Sequence, residues 1–355
     1  YEARLRERLG QVDAAKSLDE IVVEGRSPAR ASSPKYTRPL QDTPQSISVV
    51  TSATIEEQKL LSLREVLSTL PGITFGAGEG GGGYGDSINL RGFSANNDIT
   101  IDGMRDSAQY TRSDPFNLQA VELINGANSA VSGAGSVGGS INLVSKRANL
   151  TDAQLYSVGV GSDNYARATA DSNFVLGEGS ALRINAMVHQ NHVPGRDVEN
   201  FERWGIAPSL AFGLGTDTTV IFSLFSQRDD NRPQYGVPYY NGGPLPGVNP
   251  SNYYGYRNID RQEIDSDAFS AVIEHAFSDS FFLRNQTRYS ATDQYSVVDA
   301  PQGTYCLANN RTPLGASCTV NGVVVPTGFY HPTGPRGLVR DTKNRAFINQ
   351  TDLTV

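Results

Sequence analysis

The sequence predicts a transmembrane antiparallel β-barrel with an N-terminal α+β domain inside it as a plug. Three observations carry this expectation. Beyond residue 149, polar and apolar side chains alternate through successive segments, as in a wall with lipid on one side and water on the other. The connections also alternate in length. Tight turns at 177–180, 213–216 and 278–280 are interleaved with polar loops near 193–203, 229–264 and 296–339, the asymmetry of outer-membrane barrels. No apolar run is long enough for a membrane-spanning helix, an exclusion that leaves a β-barrel open because barrels hide their membrane signal in alternation.

Composition narrows the function classes. The chain has 355 residues and a formal charge of −7, and at this length two or more domains are expected. Charged residues make up 19%, while 36 glycines and 16 tyrosines are many. Nothing is basic enough, or patterned with aromatics, to engage nucleic acid. The four histidines are scattered and support no nucleophile–base arrangement, so no enzyme is expected. His189 and His192 lie three apart in a strand pattern, on opposite faces, and no metal site is expected there.

The chain divides into an extension (1–42), an α+β domain (43–148) and a β-rich portion (149–355). It starts at Tyr1 without methionine or apolar leader, consistent with a removed signal peptide or missing upstream sequence. Residues 1–17 alternate in charge in a helix-compatible way. A strand-forming patch follows, Asp19-Glu20-Ile21-Val22-Val23, and then a polar, proline-bearing linker. A β-branched patch between flexible flanks suits strand addition to another sheet's edge; an edge strand of the next domain is the alternative.

In the α+β domain, Ile47–Val50 reads as a strand and Ser52–Leu60 as a short helix. Ser62–Leu70 reads as a second helix with Leu63, Val66, Leu67 and Leu70 on one face. Ser62 and Glu65 stand at capping-box spacing, and Pro71-Gly72 ends the helix. Residues 76–85 form a glycine loop. Ile88–Phe93 and Ile99–Gly103 supply further strands, with Gly103 opening a tight turn.

Val121–Lys146 places a run of small residues between two apolar strands. Gly133, Gly135 and Gly138 spell the dinucleotide fingerprint G-x-G-x-x-G, but that motif needs a helix to follow it. Here Gly139 leads into the strand pattern Ser140–Val144, and the nucleotide reading fails. Small residues at this place let backbones approach closely.

About eight strands follow, near 153–161, 165–175, 181–192, 204–212, 218–228, 265–277, 281–295 and 340–355. Leu182, Ile184, Ala186 and Val188 share one face, and Arg183, Asn185, Met187 and His189 the other. A barrel of that size is filled by its own side chains, whereas one of about 22 strands holds a plug. The expectation is therefore a larger barrel of which this chain supplies the first part. Cys306 and Cys318 lie 12 apart in a polar loop. The spacing fits a disulfide in an oxidising compartment, with two free thiols as the alternative.

The ordered segments TPQSISVV (43–50), LREVLSTLPGI (63–73), INLRGF (88–93), IDGMRD (101–106) and 121–146 resemble the plug motifs of TonB-dependent outer-membrane receptors, in their order. They resemble the ferric-siderophore subgroup, and DGMRDSAQYTRSDPFNLQAVELI is similar to receptors for catecholates. The resemblance implies TonB-energised uptake of a ferric siderophore across the outer membrane of a Gram-negative bacterium. The siderophore is cargo and no covalently bound cofactor is implied. TonB and outer-membrane lipid are the implied partners. Receptors for cobalamin, haem or a saccharide, or a non-transporting β-rich binding module, are the alternatives.

The resemblance makes Asp19–Val23 the TonB box and Arg91 a plug–barrel lock. Asn125 stands where the family often has a basic residue, removing a second lock member. It also places Tyr84, Arg105, Asp106, Gln109, Tyr110 and Arg112 at an outward plug apex. Arg232, Tyr235, Tyr239, Tyr240, Tyr253 and Tyr254 in the long loop would add stacking and cationic contacts to an aryl–iron complex.

Overall fold

The computed structural model describes residues 31–355, apart from 34, 37, 77–85, 107, 109, 113, 133–136, 234, 235, 241, 246, 279, 299–302 and 333–337. The box patch Asp19–Val23 and most of the glycine loop lie outside the described residues.

The first domain is built on a five-stranded sheet. Its strands include β1 (Ile47–Thr51), β5 (Ile99–Ile101), β6 (Met104–Arg105), β7 (Leu118–Asn125) and β8 (Gly139–Ser145), in the order β1-β7-β8-β5-β6. A second sheet pairs β2 (Ile73–Phe75), β3 (Ile88–Leu90) and β4 (Phe93–Ser94). Helices α1 (Ser52–Glu57) and α2 (Leu63–Ser68) supply Ile55, Leu63, Val66 and Leu67 to a core shared with Val121, Leu123, Ile141 and Leu143.

Ser62 caps α2 by accepting from the Glu65 amide at 3.2 Å. The Glu65 carboxylate reaches back to the Leu61 amide at 2.6 Å, one residue before the position a capping box serves. INLRGF, expected as one strand, is a hairpin. Arg91 and Gly92 have φ of +52° and +85° between β3 and β4, the two-residue type I′ geometry that matches strand twist. Asp102-Gly103 repeats the device between β5 and β6, with φ of +52° and +81°.

The glycines of the small-residue run are required by close approach. A Cβ on Gly138 would stand 2.2 Å from the Leu90 carbonyl oxygen, and one on Gly139 2.2 Å from that of Ile124. A four-residue helix, Ser129–Ser132, precedes them, and β8 follows directly. That succession agrees with the rejection of a dinucleotide fold.

The second part is an eight-stranded antiparallel meander. It comprises β9 (Ala153–Val160), β10 (Ala166–Gly177), β11 (Ser180–His192), β12 (Asn200–Phe212), β13 (Thr218–Asn231), β16 (Arg261–Ser278), β17 (Phe281–Val298) and β22 (Leu338–Thr354). Strands β12, β13, β16 and β17 extend a few residues beyond the sequence reading at their long-loop ends, because the pairing runs up into those loops. Those loops carry small hairpins of their own. One pairs β14 (Tyr239–Tyr240) with β15 (Gly243–Pro244). Two more pair β18 (Gly303–Tyr305) with β21 (Tyr330–Pro332), and β19 (Thr319–Val320) with β20 (Val323–Val324).

The alternation separates two environments as expected. Val188, Ile206, Phe222, Leu224 and Ile273 are exposed on one face. Ala181, Asn185, Met187, Ala207 and Gln286 are buried on the other, where the first domain packs. Phe116 of that domain stacks on Phe225 of β13 at 6.0 Å between ring centroids and packs with Met187 and Ala207. Gly205 in β12 makes the room: a Cβ there would lie 2.7 Å from the Phe116 ring. The first domain therefore seats on the inner face of a wall whose outer face is apolar.

Candidate functional site

The turn after β6 builds a buried charge network. The Arg112 guanidinium donates to Asp86 at 2.7 Å and to Asp106 at 2.8 Å, and its own amide donates to Asp86 at 2.9 Å. The same guanidinium lies 4.3 Å from the Tyr110 ring centroid, and Tyr110 packs with Ala108 and Ile264 of the wall. Burial pushes the Asp86 carboxyl up, against the pull of Arg112. Burial also acts upward on Asp106, but the charge and hydrogen bonds of Arg112 outweigh it and hold the group below the usual carboxylate range. The two carboxylates in turn keep Arg112 protonated in spite of its burial.

Asp106, Tyr110 and Arg112 were expected at an outward apex; the structure turns them inward instead. A guanidinium with five donors next to two carboxylates satisfies all three charges in one place, and buried charges require such partners. Arg105 does lie exposed at the surface, its Nε donating to the Asn97 carbonyl at 3.0 Å. Tyr84 and Gln109 lie outside the described residues.

The tyrosine loop is similarly braced. The Tyr253 hydroxyl donates to Asp260 at 2.7 Å, and the Tyr256 amide donates to the same oxygen at 2.8 Å. Burial, and then the hydrogen bond to Asp260, push the Tyr253 phenol well above its ordinary range. Arg232 donates to the Asp260 carbonyl, and the Tyr254 hydroxyl to that of Asn249. Tyr254 also meets Tyr330 edge-on at 5.9 Å, linking the two long loops. These contacts depart from the expectation of free stacking rings, because a loop of this length needs internal packing to hold one shape. Tyr239 is the exception at 74% exposed. Tyr235 and the Tyr240 side chain lie outside the described residues.

Cys306 and Cys318 are bonded and buried with Val325, as one of the two sequence readings had it. Arg91 is exposed at its I′ turn, its guanidinium 3.7 Å from where a Gly126 Cβ would stand. The ion pairs among the described residues do not include it.

Two fastenings escaped the sequence reading. Ser32, within the linker, donates to Glu122 through its amide (2.6 Å) and its hydroxyl (2.9 Å). Asn142 donates to the same carboxylate at 2.8 Å, and Glu122 is fully buried within the sheet. The signal was legible: a lone carboxylate amid Val121, Leu123 and Ile124 demands a buried partner. The second fastening is Asp114, before Pro115. Its carboxylate takes both arms of Arg167 in β10, at 2.7 and 2.8 Å. Nothing local marks that residue, whose ion-pair partners are wall side chains more than 50 positions away. Lys146 and Arg183 share Asp171 at the junction of the two domains, at 2.9 and 2.7 Å.

This two-part arrangement has counterparts among known proteins. Residues 39–140 match the family described as TonB-dependent Receptor Plug Domain. The first domain is a TonB-dependent receptor plug. The chain is 38% identical over 274 residues to the probable TonB-dependent siderophore receptor PiuA of Acinetobacter baumannii, covering 75% of this chain and 37% of PiuA. It is 32% identical over 361 residues to the catecholate siderophore receptor Fiu of Escherichia coli K12, covering 95% of this chain and 45% of Fiu. The closed-form crystal structure of Fiu superposes with a TM-score of 0.79 at 31% identity, covering 92% of this chain and 46% of that one. The chain thus spans less than half the length of these relatives.

Proposed function

We propose that the chain is the plug and first wall segment of an outer-membrane receptor that takes up a ferric siderophore of the catecholate type, energised by TonB. The observation that carries this reading is the seating of a family plug against the polar face of a wall whose opposite face is apolar. Relatives over most of the chain are named siderophore receptors, one of them for catecholates. The remaining strands, bringing the barrel to about 22, lie in sequence beyond Val355 on this reading.

The mechanism follows from the contacts. Cargo is captured at the outer mouth, where Arg105 and Tyr239 are exposed and can offer charge and stacking. The passage is closed by the plug. Asp19–Val23 pairs as an added strand with a periplasmic TonB protein, and tension on this arm is passed to Ser32. There it meets the buried Glu122–Asn142 pair of the plug sheet, so the pull acts on the plug interior rather than on its surface.

The test is growth of an iron-limited strain lacking its own siderophore receptors, carrying the full-length gene and supplied with defined ferric chelates. Growth on catecholates, lost when Val22→Pro removes a ladder donor, supports the reading. Growth on none of the iron chelates, with uptake of cobalamin, haem or a saccharide instead, contradicts it.

A further inference from the structure

The inner face of the wall carries a cross-strand row at one level: Arg167 of β10, His189 of β11, Arg203 of β12 and Asp229 of β13 are direct register partners. Two arginines flank a histidine on adjacent strands, an arrangement that repels itself unless a counter-charge is supplied. Elsewhere the wall supplies its own. Arg183 pairs with Asp171, Arg284 with Glu274, and Arg228 with Asp267. Within the row, Asp229 lies 3.5 Å from Arg203.

Arg167 differs: its resolved ion pair is with Asp114, which belongs to the plug. The Asp114 carboxylate is fully buried, receives both Arg167 nitrogens, takes the Phe116 amide at 3.0 Å and lies 3.4 Å from Arg203. The arginines and aspartate of the wall row alone amount to two cations and one anion. The plug brings the fourth charge, which balances it.

We propose that Arg167 and Arg203 form a latent anion site, occupied by the Asp114 carboxylate while the plug is seated and offered to anionic cargo once the plug shifts. The geometry is the planar, two-armed grip that suits carboxylates and the oxygens of an anionic iron chelate alike. Displacing the plug without a replacement anion would leave the two arginines of the row facing a single carboxylate, and like charges on neighbouring strands repel. An anionic chelate arriving as the plug moves removes that penalty, so the site favours plug displacement when negatively charged cargo is present. A neutral chelate gains nothing from it. The inference rests on the transport reading above and adds charge selectivity to it.

The test uses the full-length receptor in whole cells, with Arg167→Gln and Arg203→Gln combined, and two iron probes. One is an anionic ferric tris-catecholate and the other an uncharged ferric trihydroxamate, each radiolabelled and each shown beforehand to be taken up by the wild type. The expected result is a fall of about tenfold in initial uptake of the anionic probe, the scale of an electrostatic guidance effect. Surface binding at low temperature should be unchanged, and uptake of the neutral probe should change less than about twofold. An equal loss for both probes would assign the arginines a purely structural role and overturn the proposal. Unchanged uptake of both would overturn it equally. Asp114→Asn, which keeps the side-chain shape, should raise anionic over neutral uptake; no change in that ratio counts against the latent site. Absence of wild-type uptake of either iron probe would instead sink the transport reading itself.

Discussion

The plug and the wall solve the same problem, burial of a chain rich in polar groups, in opposite ways. The plug buries both faces of its central strands and must pair or hydrogen-bond the charges it encloses, as at Asp86–Arg112–Asp106 and Ser32–Glu122–Asn142. The wall buries one face only and leaves the other apolar and exposed, from Val188 through Ile273. Stability in the plug therefore depends on charge pairing inside. In the wall it depends on what surrounds the outside.

Arg112→Met should break this contrast most severely. It leaves two buried carboxylates without their cation, a loss of about 3–5 kcal/mol, read as a lower denaturant midpoint of the plug in the full-length receptor. Phe222→Arg, on the outer face, should be destabilising by about 2–4 kcal/mol in a bilayer if the position sits near mid-depth. A change of the same size at an inner, plug-facing position would track packing instead, so comparing bilayer with detergent separates the two faces. Gly205→Ala drives a methyl into the Phe116 ring and should be destabilising by about 1–3 kcal/mol, with faster hydrogen exchange at plug residues 114–118. Ser32→Ala removes one of the Glu122 donors, for a loss of about 1 kcal/mol, and should speed exchange of residues 31–36 selectively.

The plug also carries a pH signature of its own. Asp106, held below its ordinary value, contributes stability that is present above the usual carboxylate range and lost as pH falls through its lowered value. Asp86, pushed upward, contributes with the opposite sign, its share being lost as pH rises through its raised value. Asp106→Asn should therefore flatten the acid loss of plug stability, and Asp86→Asn should deepen it, in unfolding curves recorded from pH 7 down to about pH 3.

The two regions were also unequally legible. The wall strands could be read from alternation alone, since a period of two with one apolar face leaves few other arrangements. The long loops separated them at the right places. In the plug, helix α2 and its Ser62 cap were legible because capping is local. The Arg91-Gly92 hairpin was hidden because a four-residue span, Leu90–Phe93, reads equally as one strand. The candidate site was the least legible part. Arg112 and Tyr110 look like ideal ligand contacts by residue type, yet their roles are decided by Asp86 and by Ile264, 26 and 154 positions away from them in sequence. Asp114 gave no local signal at all, since a single carboxylate before a proline is an ordinary loop feature.

The central claim is that the plug seats against the polar inner face of the wall. Asn117 and Ala207 line one gap between the two, so the full-length receptor carrying Asn117→Cys and Ala207→Cys should be joined by a short bifunctional maleimide in intact outer membranes. The account predicts an internal crosslink, visible as a plug fragment retained on the barrel after proteolysis between them. Release of the plug fragment from the reagent-treated double variant, as freely as from either single variant, would contradict it.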